Sequence, residues 1–125
     1  MKKILSLTYK EESKKILRLI SSEMDVEIDL MNELTDFIYS LEEKEYQAVV
    51  IENNSEEIDI LKLVRLGKDI RPGIPQIIMS DDKDKHTIGR LRQEGIFYNF
   101  IPPIDKEALK KIIQSALKLF YRKNK

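Results

Sequence analysis

The stretch Tyr46-Gln47-Ala48-Val49-Val50-Ile51-Glu52 limits what this chain can fold into more than any other. Its centre is continuously apolar and β-branched, and an acid followed by Asn53 and Asn54 ends it. A run this short, without polar alternation, suits a strand covered on both faces, as in the middle of a parallel sheet. Glu52 then stands at the carboxyl end of a central strand, where open α/β sheets place their sites.

The rest of the chain supplies the layers such a strand needs. Lys3 to Leu7 reads as a first apolar strand. From Glu11 to Ser22, Ile16, Leu17 and Ile20 fall on one helical face, with Lys14, Lys15 and Arg18 elsewhere. Asp25 to Leu30 alternates acid and aliphatic, the pattern of an edge strand with one wet side. Asn32 is positioned to cap a helix carrying Leu34, Phe37, Ile38 and Leu41. Asn54 and Glu57 have capping-box spacing and open a third helix with Ile58, Leu61 and Val64 inward. Ile74 to Ser80 is a fourth strand, and a short fourth helix carrying Ile88 and Leu91 ends near Gly95. Ile96 to Ile101 is a fifth strand closed by Pro102-Pro103. Asp105 then caps a last helix with Leu109, Ile112, Ile113, Ala116, Leu117 and Phe120 on one stripe.

Five strands alternating with five helices predict an α/β fold, a doubly wound parallel sheet covered on both faces. The edge character of the second strand favours the order 2-1-3-4-5. At 125 residues this is one domain spanning 1–125. Basic and acidic residues balance at 22 each, so no bulk charge points to nucleic acid, and the basic end from Lys118 to Lys125 reads as a solvated helix terminus. The absence of cysteine removes disulfides, thiolate metal sites and cysteine nucleophiles. No apolar run reaches membrane-spanning length, and the expected location is cytoplasmic. His86 has no Ser or Cys partner pattern and is read as a surface residue, and the four glycines do not fall in a phosphate-binding spacing.

This layout resembles the receiver domain of bacterial two-component response regulators, over Lys3 to about Phe120. The resemblance rests on the strand series, on Tyr46 to Glu52 and Ile74 to Ser80 as third and fourth strands, and on Gly95 leading to Pro103. It implies a flavodoxin-like receiver fold that is phosphorylated from a phosphohistidine donor. It further implies an acidic pair after the first strand for Mg²⁺, an aspartate ending the third, a hydroxyl ending the fourth and a Lys-Pro ending the fifth. Carboxylates and phosphoryl oxygens give a hard cation its ligands, and cation and lysine neutralise the charge on the transferred group.

Carried over residue by residue, most of this set is missing. The acidic pair falls on Thr8 and Tyr9, the acceptor aspartate on Glu52, the small residue after the hydroxyl on Asp81, and the lysine on Pro102. Ser80 keeps the hydroxyl, and the switching aromatic of the fifth strand falls on Asn99, next to Tyr98. Loss of a single electrostatic group of this type costs about 10²–10³ in rate. The expectation is a degenerate receiver, not an enzyme, with no cofactor and no metal: Glu52, Asp81 and Asp82 read as solvated or helix-capping acids and Ser80 as a turn group. Its partner is another protein or a second copy, met through the fourth helix, fifth strand and fifth helix, with Arg90, Tyr98, Lys110 and Gln114 at the contact. No membrane and no direct nucleic-acid contact are expected. Two alternatives stand beside it: a phosphorylatable receiver with an atypical site, and a small-molecule or flavin-binding doubly wound domain. An exposed Glu52 would tolerate alanine, whereas a buried and partnered one would lose more than about 2 kcal/mol on truncation.

Overall fold

The computed structural model describes residues 2–53, 58–80 and 85–123. In chain order the elements are β1 (Lys3–Leu7), α1 (Glu11–Met24), β2 (Glu27–Met31), α2 (Leu34–Glu43), β3 (Ala48–Glu52), α3 (Ile60–Ile70), β4 (Gln76–Met79), α4 (Lys85–Gln93), β5 (Tyr98–Phe100) and α5 (Lys106–Lys123). All pairings are parallel, and the sheet runs β2-β1-β3-β4-β5. The doubly wound α/β architecture and strand order expected from the sequence are therefore the observed ones.

Strand periodicity divides the apolar residues into two cores. Leu5, Leu7, Val49, Ile51 and Ile78 face α2, α3 and α4, where Phe37, Leu41, Leu63, Val64 and Leu91 meet them. Ile4, Ala48, Val50, Ile77 and Met79 face α1 and α5, against Leu17, Ile20, Leu109, Ile113 and Leu117. Every residue of β3 is buried, as an uninterrupted apolar run requires at the sheet centre. Each fully buried Leu or Ile contributes about 1.5–3 kcal/mol, so the two cores supply the driving force for folding.

The edge strand shows how alternation becomes structure. Val26 is buried in the α1/α5 core, and Ile28 and Leu30 pack against it. On the other face Asp29 accepts a 2.6 Å hydrogen bond from the Tyr46 hydroxyl, and Glu27 pairs with Lys3. Burial, together with the Asp29 carboxylate, pushes the Tyr46 phenol well above the usual tyrosine range.

Several expected boundaries move. Asp25 is not the start of β2; it adopts the left-handed conformation (φ 55°) that ends α1, which delays the strand to Glu27. Strands β3 and β4 are shorter than their apolar runs, because the flanking Tyr46 and Ile74 are buried without joining the ladder, and β5 is shorter too, with Ile101 exposed beyond its end. The second helix takes Glu33, not Asn32, as N-cap, with no side-chain cap bond. Its far end is closed instead by Arg71, whose guanidinium donates to the carbonyls of Leu41, Glu42 and Lys44, each at 3.0 Å. The third helix begins six residues after Asn54: Asp59 caps it by accepting from the Lys62 N–H. Ile58 is buried ahead of that helix, not on it, and Asn54 and Glu57 lie outside the described residues. The expected ends at Gly95 (φ +86°) and Asp105 hold: Gly95 follows α4, and the Asp105 side chain accepts from the Glu107 N–H.

Candidate functional site at the carboxyl edge of the sheet

The ends of β1, β3, β4 and β5 bring Thr8, Glu52, Ser80 and Pro102 to one edge. Glu52 is not a solvated acid there. It is only 7% exposed, and its carboxylate is turned toward the first turn of α1. Oε1 accepts from the backbone N–H groups of Tyr9 (2.6 Å) and Lys10 (2.9 Å), and Oε2 accepts from the Ser13 hydroxyl (2.5 Å). Lys10, the N-cap of α1, provides no side-chain cap bond. Glu52 supplies the cap from another element, placing negative charge where the helix dipole and unbonded amides favour it.

The neighbouring positions are neutral. Thr8 is fully buried; its N–H donates to the Met31 carbonyl, and its hydroxyl oxygen has no hydrogen-bond partner among the described residues. Tyr9 packs its side chain against the α2/α3/α4 core. Ser80 is buried, with its N–H donating to the Phe100 carbonyl and its Oγ accepting from Asn53 Nδ2 at 3.3 Å. Pro102 is exposed and is joined to Pro103 by a cis peptide bond. Asp81 and Asp82 lie outside the described residues.

Tested against the divalent cation that the receiver resemblance implies, the described side chains do not fit. Thr8 and Tyr9 have no carboxylate, and both oxygens of Glu52 already accept hydrogen bonds, whereas a hard cation needs several convergent oxygen ligands. Among the described residues no three His, Asp or Glu side chains converge. Sequence reasoning missed Ser13, which is buried in the first turn of α1, and Asn53. A serine three residues after Lys10, on a helix that opens with two acids and no capping side chain, was the available signal.

The residues expected at a protein contact separate into two groups. Arg90 on α4 and Tyr98 on β5 are exposed, and the Tyr98 ring lies 4.7 Å from that of buried Phe100. Lys110 points elsewhere: it pairs with Glu23 of α1 at 3.1 Å, and Lys106 pairs with the same carboxylate. Gln114 lines the same α1/α5 groove as Lys110. The two lysines hold the Glu23 carboxyl below the usual range. Arg65 and then Lys68 of α3 do the same for Glu94 just beyond α4.

No protein-family model matches the chain, and no curated protein matches it either. Solved structures do. A CheY-like response regulator receiver domain protein from Methanospirillum hungatei JF-1 matches with a TM-score of 0.84 at 14% identity, covering 98% of both chains. An orphan response regulator of H. pylori matches with a TM-score of 0.83 at 16% identity, covering 93% of this chain and 96% of that one. The receiver domain of a sensor histidine kinase from Pseudomonas aeruginosa PAO1, with a magnesium ion coordinated in its active-site cleft, matches with a TM-score of 0.79 at 14% identity over 94% of this chain and 98% of that one. Among the described residues no helix is long and apolar enough to cross a membrane. With this strand order, this helix placement and these structural relatives, the chain has the receiver fold of response regulators.

Proposed function

We propose that this chain is a non-catalytic receiver-like signalling module that is not phosphorylated and acts through protein–protein contact. The observation that carries the reading is the commitment of Glu52. The side chain at the acceptor position is buried and spends both oxygens on Tyr9, Lys10 and Ser13. Phosphoryl transfer needs a free acceptor oxygen, a cation and a positive group to neutralise the equatorial oxygens. Here the acceptor is engaged, Thr8 and Tyr9 replace the cation ligands, and Pro102 replaces the amine. The fold is kept, so what it offers is surface. Arg90 and Tyr98, exposed on α4 and β5, form the proposed contact on that side.

The test is exposure to acetyl phosphate with Mg²⁺, read by intact mass, together with a beryllofluoride titration read by backbone amide NMR. The expected result is an unchanged mass and no saturable shifts around Glu52 and Ser80. A phosphoryl adduct, or saturable shifts at those residues, overturns the reading and restores a phosphorylation switch.

A further inference from the structure

The chain has no formal net charge, yet its charges are segregated. Around α2, on one layer of the sheet, Glu33, Asp36, Glu42, Glu43 and Glu45 are exposed, with Lys44 as the only base between residues 32 and 45. None of these acids forms an ion pair among the described residues. In their midst Tyr39 is 66% exposed, more than any other large hydrophobic side chain described. Helical spacing places Asp36 at i−3, Glu42 at i+3 and Glu43 at i+4 from Tyr39, so one solvent-facing aromatic is ringed by acids.

On the other layer, at the amino end of the strands, a groove of about 780 Å³ runs between the C-terminal halves of α1 and α5. Met24, Leu117 and Tyr121 give it apolar and aromatic walls, and Lys2, Lys118 and Arg122 edge it. Those three bases have no ion pair among the described residues. The acid in the groove, Glu23, is already neutralised by Lys106 and Lys110. The groove lining is thus net cationic, with apolar walls and room to admit an aromatic side chain flanked by acids.

We infer that the acidic, Tyr39-bearing face of α2 docks into the Lys2/Lys118/Arg122 groove of a second copy of this chain. Two unpaired surfaces of opposite sign, one with a projecting ring and the other with an apolar recess, meet the two requirements of a specific contact: an anchor residue and complementary charge. The patches differ and lie on opposite layers, so the contact is heterologous and extends head to tail. It uses neither Glu52 nor the α4–β5 surface, and it stands or falls independently of the phosphorylation reading.

The test is sedimentation velocity of the whole chain across a concentration series at low and at high salt. The average mass is expected to rise with concentration at low salt and to fall when salt screens the patches. The variant Asp36→Lys/Glu43→Lys and the variant Lys118→Glu/Arg122→Glu are each expected to weaken self-association by about tenfold or more, a loss of about 1.4 kcal/mol. An equimolar mixture of the two recovers association, because each reversed patch then finds its complement on the other variant. Circular dichroism and thermal melting confirm that the variants fold. A wild-type chain that stays monomeric at low salt overturns the inference. So does association insensitive to salt, or folded single-patch variants that associate as wild type and show no recovery on mixing.

Discussion

Glu52 Oε2 lies 2.5 Å from the Ser13 hydroxyl, joining the carboxyl end of the central strand to the first turn of α1. With the Tyr9 and Lys10 amides on Oε1, one side chain closes a loop between elements 39 or more residues apart in sequence. Here a tethered carboxylate and a helix N-terminus balance each other.

Replacing Glu52 by alanine leaves two amides and a hydroxyl without their partner and removes the cap of α1. The expected loss is about 2–4 kcal/mol in urea unfolding, since hydrogen bonds to a charged group are worth about 1.5–3 kcal/mol and a helix cap about 1. Glu52→Asp, one methylene short of the α1 amides, is expected to lose more than half as much. A Glu52→Ala chain as stable as wild type would show that these bonds contribute nothing net.

Arg71→Ala is expected to cost about 1–2 kcal/mol by releasing the last carbonyls of α2, which have no basic side chain of their own nearby on the helix. Arg71→Lys does not restore stability, because one amine cannot reach three carbonyls as a planar guanidinium does. Matched denaturation curves of the two variants check this; full recovery with lysine would refute the bridging role.

Gly67→Ala would ordinarily stabilise a helix interior by up to about 1 kcal/mol. Here a Cβ would lie 3.1–3.3 Å from the buried Gln76 amide, which is itself held by its bond to the Val64 carbonyl. That bond holds the amide against the added methyl, so a net loss of about 1 kcal/mol is expected. Trimming the obstacle with Gln76→Ala makes the same Gly67→Ala step less costly, a coupling measured by a double-mutant cycle.

Tyr46 predicts an alkaline limb. Its folded-state pKa is raised by burial and by Asp29, so the folded chain keeps this proton after the unfolded chain has lost it. The corresponding stability is complete below the unfolded value of about 10 and is lost as pH rises above it. Tyr46→Phe should flatten the fall in stability between about pH 9 and 11 relative to wild type, after subtraction of the constant cost of the lost hydrogen bond. Parallel curves would contradict the assignment.

Glu23 and Glu94 set the acid side. Their carboxyls are held low by lysine and arginine partners, so their contribution is present above the ordinary glutamate range and is lost as pH falls through the folded value. Glu23→Gln and Glu94→Gln are expected to reduce the slope of stability against pH below about 4.3, the ordinary glutamate value. Both pairs are exposed, and salt weakens the effect.

The architecture was legible because it is written in periodicity. The apolar run ending at Ile51, the alternation from Val26 to Leu30 and the stripe from Leu109 to Leu117 each carry their burial pattern in one dimension, and together they admit one layering. Local cues failed where a distant group did the work. Asn32 looked like a cap, but α2 is closed at its far end by Arg71, nearly thirty residues on. Lys110 looked like part of the α4–β5–α5 surface, but α1 brings Glu23 to it. The sequence alone determined that Thr8, Tyr9 and Pro102 bring no carboxylate and no amine to the ends of β1 and β5, because residue identity needs no coordinates. Only the tertiary structure decided what Glu52 does. Whether a carboxylate at a strand end faces solvent, a cation or a helix N-terminus depends on which amides the fold carries to within 3 Å of it, and no spacing along the chain encodes that.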